Sequence, residues 1–416
     1  MRQGDLFRTQ DERGILVVGA GPAGLFAALA AAESGARVLV CEKMPSPGIK
    51  LLASGSGRCN LTHGGAIEDF LPHYGSGQGR FLKPALFSFD NAALEAWFSR
   101  RGLPLEADER GKLFPATNRA RDVLSVLLAE AEGAGVEIRT GARVLSARRL
   151  DGGFEVETSA GRHAAARLLL STGGKSYPGT GSSGEGYALA VSFGHRVVAP
   201  RPCLAPLVTA SGLPAACAGI AIPEAEIVVR RGQKRVLRAQ GDLLFTHRGI
   251  SGPVVLDASR SIESGDVVLI SLLPGMDREK IEEEILRETA LHGRRGMASC
   301  LQAVGLPERL AEAVLEWSGV DRGLGAASLD RSRRARLVEA VAALPLVVER
   351  VGGFEEAMAT CGGVDLSEVE PRTLASRLVP GLYFAGEILD LDGDTGGYNL
   401  QAAFSTGRLA GISAAS

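Results

Sequence analysis

Three glycines near the start of the chain have the spacing of a phosphate-binding turn. Gly19, Gly21 and Gly24 form G-x-G-x-x-G directly before an alanine-rich segment that predicts a helix. The first glycine of such a turn permits a tight bend, the second lets the backbone approach a pyrophosphate, and the third lets helix and strand pack closely. A helix N-terminus also attracts anions through its free N–H groups and its dipole. These glycines therefore predict a dinucleotide-binding site.

An acidic residue follows at the position where a ribose contact is expected. Glu42 lies 23 residues after Gly19, at the end of the predicted strand 37–41. A carboxylate there accepts hydrogen bonds from the two ribose hydroxyls and disfavours a 2′-phosphate. Together with the apolar run 15–18, these features occur in the order of a βαβ unit. This ordered set is stronger evidence for a dinucleotide-binding site than the glycine pattern alone.

A membrane-spanning helix is the alternative interpretation of the same segment. Residues 15–32 form an 18-residue stretch without charge. However, Gly19, Gly21 and Pro22 interrupt this stretch, and a spanning helix needs about 20 continuous apolar residues. We therefore favour the nucleotide-binding unit and predict no membrane partner.

Other glycine-rich segments predict further places where the backbone approaches a ligand. The loop 44–65 is too rich in glycine and serine for a regular element, and it carries cationic, thiol and amide side chains. Glycine runs also lie at 173–186 and 386–397, and the last of these precedes a predicted helix from Leu400 to Leu409. A flavin fits this last arrangement, because reduced flavin carries negative charge near its N1–C2=O edge and a helix N-terminus stabilises that charge.

The composition favours a small-molecule partner in a reducing compartment. With 46 basic and 48 acidic residues the formal charge is −2, so no global field recruits nucleic acid or an anionic membrane. The six cysteines show no C-x-x-C spacing and the six histidines no ligand-like spacing. We therefore expect reduced thiols, a cytoplasmic protein and no metal site. The oligomeric state is left open.

The order of the predicted elements indicates an α/β fold with nested insertions. A nucleotide-binding domain is predicted from 14–194 and 353–416. A β-rich insertion, either a small barrel or a sandwich, is expected at 195–274 and 344–352. Within that insertion, helical periodicity predicts a further helical domain at 275–343.

Seven long motifs in one order resemble the BaiN/YhiN-type family of FAD-binding oxidoreductases, which includes enzymes described as aminoacetone oxidases. The motifs include GAGPAGL at 19–25, PGIKLLASGSGRCNLT at 47–62, TGGKSYPGTGSSGEGY at 172–187 and GLYFAGEILDLDGDTGGYNLQAAFSTG at 381–407. The resemblance implies a Rossmann-like FAD-binding domain of the two-dinucleotide-binding flavoprotein type, with a β-barrel-like insertion that carries a helical one. It also implies FAD as the cofactor.

The resemblance assigns cofactor contacts to residues along the whole chain. Those expected to hold the ADP half, including an adenine contact and two residues that close over the nucleotide, are Gly19, Gly21, Pro22, Ala23, Gly24, Glu42, Lys43, Val144, Thr172 and Gly173. Those expected along the path from the phosphates to the flavin, and at the ribityl chain and flavin, are Lys50, Ser54, Gly57, Arg58, Cys59, Asn60, Gly386, Glu387, Gly397, Asn399 and Leu400. Related flavoproteins often have Gly-Asp where this chain has Gly386-Glu387, so the acidic contact can fall instead to Asp390 or Asp392.

Three side chains are candidates for catalysis. His247 is a candidate general acid, because its loop belongs to the predicted insertion and could cover the flavin, and it can equally stabilise a turn. Cys59 can act as a redox thiol or pack in its loop. Tyr398 can donate a proton to the substrate or pack as an aromatic.

The predicted activity is hydride transfer between flavin N5 and a small organic substrate. Because the chain has one full dinucleotide fingerprint, NAD(P)H must dock transiently, or oxygen must re-oxidise the flavin. The alternative is a flavin-binding protein with a structural or sensing role, or one whose insertions bind a macromolecule. An arginine run at 331–336 motivates that alternative, although such a short run is usually a solvated surface.

Overall fold

The computed structural model describes residues 14–210, 212–291 and 296–416, and these residues form two compact units. The first unit holds the described residues up to Pro202 together with Met358–Ser416, and the second is Cys203–Ala357. Each unit has its own hydrophobic core. The helices of the second unit share one core with its strands. The finer division into three domains stays a prediction.

A parallel sheet lies at the centre of the first unit. Its strands are β1 (Gly14–Val18), β2 (Arg37–Cys41), β6 (Glu137–Arg139), β10 (Arg167–Leu170) and β19 (Leu382–Phe384). Their order in the sheet is β19-β10-β1-β2-β6, and all four pairings are parallel. The strand β1 is buried along its whole length, as expected for a parallel sheet covered on both faces. Its glycine turn therefore lies at the carboxyl edge of the sheet, where ligands bind in such folds.

Smaller antiparallel sheets complete the first unit. One contains β3 (Thr62–His63), β4 (Leu105–Ala107) and β5 (Lys112–Pro115), and a meander contains β7 (Val144–Leu150), β8 (Gly153–Thr158) and β9 (Gly161–Ala165). A two-stranded sheet pairs β11 (Val197–Cys203) with β18 (Ala359–Val364).

The helices of the first unit pack around these sheets. They are α1 (Pro22–Glu33), α2 (Ile49–Ala53), α3 (Ser76–Ser88), α4 (Asn91–Ser99), α5 (Ala120–Gly133), α6 (Glu185–Ser192) and α13 (Tyr398–Ala415). The C-terminal helix α13 lies against α1 at two glycines. A Cβ on Gly407 would come within 2.4 Å of the Ala23 carbonyl oxygen, and one on Gly411 within 2.1 Å of that of Ala27. The chain's last helix is therefore anchored to its first.

The second unit contains a closed barrel, so the β-rich insertion predicted from the sequence is a barrel and not a sandwich. Its strands follow the order β12-β15-β14-β13-β16-β17 with antiparallel pairings. The strands are β12 (Leu207–Thr209), β13 (Ala221–Arg231), β14 (Lys234–Thr246), β15 (Gly249–Ser251), β16 (Val267–Ile270) and β17 (Leu344–Val351). The helices are α7 (Leu213–Ala216), α8 (Pro253–Ala258), α9 (Arg278–Leu291), α10 (Met297–Val304), α11 (Glu308–Trp317) and α12 (Arg331–Ala342).

Among the described residues, no helix combines the length and the apolar character that crossing a membrane requires. The uncharged stretch 15–32 is divided between β1 and α1.

Candidate functional site

The three glycines of the first turn occupy different environments. Gly19 has φ +101°, and a Cβ there would lie 2.8 Å from the Ser171 carbonyl oxygen. A Cβ on Gly24 would lie 1.9 Å from the Gly19 carbonyl oxygen. Gly21, the N-cap of α1, has φ −79° and no described atom within 4 Å of an added Cβ, and no side chain caps the helix there. The space over Gly21 and the uncapped N–H groups of α1 fit a pyrophosphate.

Glu42 is fixed beside this turn. Its side chain is 9% exposed, Oε2 accepts the Ala20 N–H at 2.7 Å, and Oε1 accepts the Met44 N–H at 2.8 Å. Because a carboxylate offers about four acceptor positions, each oxygen can still accept a ribose hydroxyl. The Glu42 carbonyl accepts the Ala142 N–H at 2.8 Å, which brings the start of β7, with Val144, to the same edge. The donor set fits the adenosine half of a dinucleotide.

The end of β10 reaches the same turn. Thr172 and Gly173 follow Ser171, which donates its hydroxyl hydrogen to the Val18 carbonyl at 3.0 Å. A Cβ on Gly186 of α6 would lie 1.9 Å from Thr172 Oγ1, so the second glycine run packs directly on this strand end. Pro22 and Ala23 form the first turn of α1, where Ala23 is buried and Pro22 is half-buried.

Lys43 reaches the loop before α6. Its ammonium group donates to Ser183 Oγ at 2.6 Å and pairs with Glu185 at 3.0 Å. Arg143 pairs with the same carboxylate at 3.0 Å. The predicted contact of Lys43 with the ADP half stays a prediction.

Lys50 and Glu387 meet although they are 337 residues apart in the chain. Lys50 Nζ lies 2.7 Å from Glu387 Oε2 and donates to Ser176 Oγ at 2.6 Å. The other carboxylate oxygen, Oε1, accepts the Thr360 N–H at 2.8 Å and the Ser176 hydroxyl at 3.2 Å. Sequence reasoning missed Ser176 and Thr360. The available signal was that Ser176 lies inside the glycine run 173–186 and that Thr360 lies just before two consecutive glycines. A Cβ on Gly174 would lie 2.4 Å from Thr360 Oγ1, so the lack of a side chain there lets the two segments approach.

A buried phenol lies near this ion pair. Tyr187 is 8% exposed, and its hydroxyl has no hydrogen-bond partner among the described residues. Burial raises the pKa of Tyr187, and the nearby charges of Glu387 and Asp390 raise it further. Asp390, which accepts the Gly362 N–H at 3.0 Å, itself has a raised pKa because it is buried. Each of the two carboxylates is thus held by backbone N–H groups.

The segment from Ser54 to Thr62, which runs from a loop into β3, carries two buried oxygens that fit a bound polar ring. Asn60 Oδ1 and Thr62 Oγ1 are buried and find no partner in the described part of the chain. Ser54 closes the loop by accepting the Cys59 N–H at its carbonyl at 3.0 Å. Gly57, with φ +85°, is exposed. The two unpartnered oxygens suit hydrogen-bond donors of a flavin, and the residues present therefore fit FAD.

Two side chains of this loop have contacts that bear on their predicted roles. The Arg58 guanidinium lies over the Phe114 ring, 4.4 Å from its centroid. Cys59 is fully buried, and burial raises the pKa of its thiol to about 12. Since the thiolate is the reactive form, these properties favour the packing role of Cys59.

The C-terminal glycines pack onto β3 and α1. A Cβ on Gly397 would lie 2.5 Å from the Thr62 carbonyl group, and one on Gly386 would lie 2.7 Å from Ala23 Cβ. The Asn399 amide accepts the Gly393 N–H at 2.8 Å and donates to the Gly393 carbonyl at 2.8 Å, so it holds this loop. The half-buried Leu400 follows in α13. The structure thus brings Gly397 next to Thr62, which carries one of the two unpartnered oxygens.

The two remaining catalytic candidates lie in different units. Tyr398, the first residue of α13, is 5% exposed in the first unit. His247 is exposed in the turn between β14 and β15 of the second unit. Proton transfer by either residue stays a prediction.

Comparisons with known proteins identify the family. The model for the HI0933-like protein Rossmann domain matches residues 13–413. The chain is 34% identical over 398 residues to the ribosomal RNA dihydrouridine synthase of Escherichia coli (strain K12), covering 94% of this chain and 95% of that protein. It is 34% identical over 409 residues to the 3-dehydro-bile acid delta(4,6)-reductase of Clostridium scindens, covering 96% and 98%.

The fold also resembles a solved structure, the quinol fumarate reductase FrdA of E. coli. The TM-score is 0.51 at 16% identity, with 97% of this chain and 70% of that chain covered. This likeness supports the α/β fold. The names of the relatives do not support the expected absence of a nucleic-acid partner, because one of them refers to ribosomal RNA. The chain therefore belongs to the HI0933-like Rossmann-domain family of flavoproteins, and it is an FAD-dependent oxidoreductase.

Proposed function

We propose that this enzyme reduces a carbon–carbon double bond conjugated to a carbonyl group. The observation that carries the proposal is a chemistry shared by the names of the two relatives. Dihydrouridine differs from uridine by two hydrogens on a double bond conjugated to a ring carbonyl. A 3-dehydro bile acid with double bonds at positions 4 and 6 is likewise a conjugated ketone. In both compounds, saturation of the double bond next to the carbonyl adds a hydride to the β-carbon and a proton to the α-carbon.

The cofactor supplies the hydride, and residues of the chain bind and orient the cofactor. The support for the ADP end is the open space over Gly21 and the remaining acceptor positions of Glu42. The support for the flavin end is the pair of unpartnered oxygens of Asn60 and Thr62 beside the C-terminal glycines. We assign the flavin end of the cofactor to this second group.

The pair of Lys50 and Glu387 is proposed to line the path between these two ends. Lys50 is 26% and Glu387 21% exposed, so both charges are partly removed from water and held by Ser176 and Thr360. A fixed ammonium and carboxylate at such a position offer a donor and an acceptor to a sugar-alcohol chain and its phosphates. The carboxylate can therefore take the ribityl contact that related flavoproteins give to an aspartate.

We propose NAD(P)H as the electron donor, docking transiently. The six cysteines show no C-x-x-C spacing, which supports a reducing compartment such as the cytoplasm, where NAD(P)H is available. Oxygen is the competing redox partner, as an oxidant of the reduced flavin.

The test is anaerobic rapid mixing of the purified holoenzyme in two steps. NADH or NADPH should first bleach the flavin absorbance, and a conjugated ketone such as 2-cyclohexen-1-one should then restore it. A saturated ketone, cyclohexanone, is the matched control and should leave the flavin reduced. Absence of bleaching by either nucleotide would remove NAD(P)H as donor, and an equal response to both ketones would contradict double-bond reduction.

A second candidate substrate is uridine within ribosomal RNA. The names of the E. coli relative and of a Haemophilus influenzae relative, 32% identical over 397 residues, favour it. The net charge of −2 opposes strong general RNA binding. In the second unit, Arg334 of α12 pairs with Glu282 at 3.0 Å, and Arg336 donates to the Ser318 carbonyl at 3.1 Å. The arginine run is thus partly engaged within the protein.

Two measurements separate this candidate from a small ketone. The first is binding of ribosomal RNA as a function of salt concentration, and the second is the dihydrouridine content of RNA after incubation with the reduced enzyme. Salt-sensitive binding with dihydrouridine formation would favour RNA. Absence of both at low salt would leave the small-molecule substrate.

A further inference from the structure

The loop before α13 is bonded to a segment around His73, for which sequence reasoning assigned no role. The Asp394 N–H donates to the His73 carbonyl at 3.0 Å, and the Tyr74 hydroxyl donates to the Tyr398 carbonyl at 2.7 Å. The His73 ring stacks on the Tyr398 ring, with centroids 4.0 Å apart and an interplanar angle of 16°. These contacts hold the imidazole against the loop that carries the C-terminal glycines.

A carboxylate orients this imidazole. His73 Nδ1 lies 2.9 Å from Asp394 Oδ2. An imidazole that donates its Nδ1–H to a carboxylate presents Nε2 as the nitrogen that exchanges a proton with a substrate. The His73 side chain is 39% exposed, so a substrate or solvent can reach it. The two residues form a His–Asp dyad of the kind that donates and accepts protons.

The other ionisable groups around this ring are less suited to give a proton. The His63 ring also stacks near Tyr398, at 5.5 Å, but its Nδ1 is bonded to the Gly64 carbonyl and not to a carboxylate. Burial raises the pKa of Tyr74 well above its usual value, and Tyr398 and Asp394 add to this. The remaining acids of the neighbourhood are the buried Asp392, which accepts from Gln78, and the exposed Glu68 and Asp69 on the same 3-10 turn.

The dyad lies beside the residues assigned to the flavin end of the cofactor. The Tyr398 ring packs against His63 of β3, and Gly397 packs against the adjacent Thr62. Thr62 carries one of the two unpartnered buried oxygens, and Asn60 carries the other. The dyad and these oxygens thus belong to one cluster on β3 and the glycine loop.

We propose that His73, oriented by Asp394, is the catalytic acid that protonates the substrate. This inference rests on the proposed function. The β-carbon of the conjugated double bond gains a hydride that originates from NAD(P)H and passes through the flavin. The π electron pair of that bond takes the proton of His73 Nε2 at the α-carbon. His73 is left neutral and regains a proton from water, so two C–H bonds replace one π bond.

The test separates the two half-reactions in the variant His73→Gln. Flavin bleaching by NAD(P)H should keep the wild-type rate, because no substrate proton moves in that step. Re-oxidation by 2-cyclohexen-1-one should slow by at least about 100-fold, the lower end of what a general acid contributes. Asp394→Asn should slow the same step by a smaller factor and change its pH profile. Glu68→Gln, which removes an exposed charge from the same turn, is the matched control and should keep both rates.

A second readout does not depend on activity. The Nδ1–H proton bonded to Asp394 should give a downfield NMR signal in the wild-type holoenzyme, and His73→Gln should abolish it while FAD affinity is retained. Equal re-oxidation rates in wild type and His73→Gln would overturn the acid role alone. Failure of the conjugated ketone to re-oxidise the wild-type flavin would overturn the proposed function, and the acid role with it.

Discussion

At the scale of single residues, the glycines of the first turn differ in the reason why no side chain is present. Gly19 and Gly24 lack a side chain because neighbouring backbone occupies the space. Gly21 has an ordinary φ of −79° and open space around it in the described structure, so folding alone does not require a glycine there. A pyrophosphate approaching the backbone supplies the missing reason for a glycine at this position.

Gly21→Ala is therefore expected to weaken FAD binding more than it weakens folding. The added methyl group would occupy the space of the phosphates, and the Kd for FAD should rise at least about tenfold, or ~1.4 kcal/mol. The stability of the apoprotein should change by no more than ~1 kcal/mol, the scale of an N-cap substitution. Fluorescence titration with FAD and urea unfolding measure the two quantities.

Gly133→Ala provides the matched control for that comparison. Gly133 is the last residue of α5, and no described atom lies within 4 Å of an added Cβ. This variant should keep both FAD affinity and stability. Unchanged FAD affinity in Gly21→Ala would contradict the phosphate site.

A buried histidine links pH to the stability of the first unit. His195 Nδ1 lies 3.1 Å from Glu368 Oε2, and Nε2 lies 2.7 Å from Ser376 Oγ. Burial lowers the pKa of His195, and Glu368 only partly offsets this effect. The pKa of His163 is also lowered, by burial and by the charge of Arg139.

The sign of the resulting pH dependence follows from linkage. Where the folded-state pKa lies below the unfolded value of about 6.5, the unfolded chain binds more protons, so stability rises with pH. The contribution of these two histidines to stability is fully present above about pH 6.5. It is lost as pH falls from about 6.5 to their lowered folded-state pKa values. Urea unfolding should give a lower midpoint at pH 5.5 than at pH 7.5, and His195→Gln should reduce the difference. An unchanged difference in that variant would exclude His195 as a cause.

At the scale of elements, the stretch 81–100 shows how a local hydrogen bond divides a helical pattern. Its apolar periodicity predicts one helix, whereas the structure has α3 ending at Ser88 and α4 starting at Asn91. The Asp90 side chain accepts the Ala93 N–H at 2.7 Å and so caps α4. The break at Phe89 and Asp90 frees the Phe89 carbonyl, which accepts from Gln401 and Ser405 of α13.

Asp90→Ala should destabilise the first unit by ~1 kcal/mol, because it removes the side-chain cap of α4. Urea unfolding of the holoenzyme at constant FAD concentration measures the change. Asp151→Ala, in the exposed turn between β7 and β8, is the control and should fall within ~0.5 kcal/mol of wild type. If Asp90→Ala matched the control, the cap would be shown to contribute nothing.

At the scale of the whole molecule, each unit contains its own core and one of the chain's two tryptophans. Trp97 is 7% exposed in the core of the first unit, and Trp317 is 41% exposed on α11 of the second. The residues assigned to FAD lie in the first unit. Ligand binding stabilises the unit that holds the ligand, by an amount set by its concentration relative to Kd.

The variant Trp317→Phe leaves Trp97 as a reporter of the first unit. FAD at 100 times its Kd should stabilise the transition followed by Trp97 by ~2.7 kcal/mol. In the variant Trp97→Phe, the transition followed by Trp317 should shift less. Equal shifts in both variants would indicate that the two units unfold as one.

Much of this protein was readable from the sequence because the signals are local. The βαβ unit, with strand, glycines, helix and acid in order, depends on spacings of a few residues, and β1, α1 and β2 form where they were expected. The resemblance to a known family, confirmed over residues 13–413, added the FAD assignment and the place of the C-terminal glycines. The β-rich character of the insertion was also predicted, and the resemblance implied the barrel-like form that the structure has.

The tertiary structure alone decided which distant side chains meet. Lys50 and Glu387 are 337 residues apart, and His73 and Asp394 are 321 apart. No periodicity relates such residues, because their proximity depends on how segments far apart in the chain pack together. Tertiary packing also buries Cys59, and this burial raises the pKa of its thiol to about 12, which residue type could not reveal. Short spacings in the sequence show which residues lie together in a local motif, whereas long-range packing decides which distant side chains they contact.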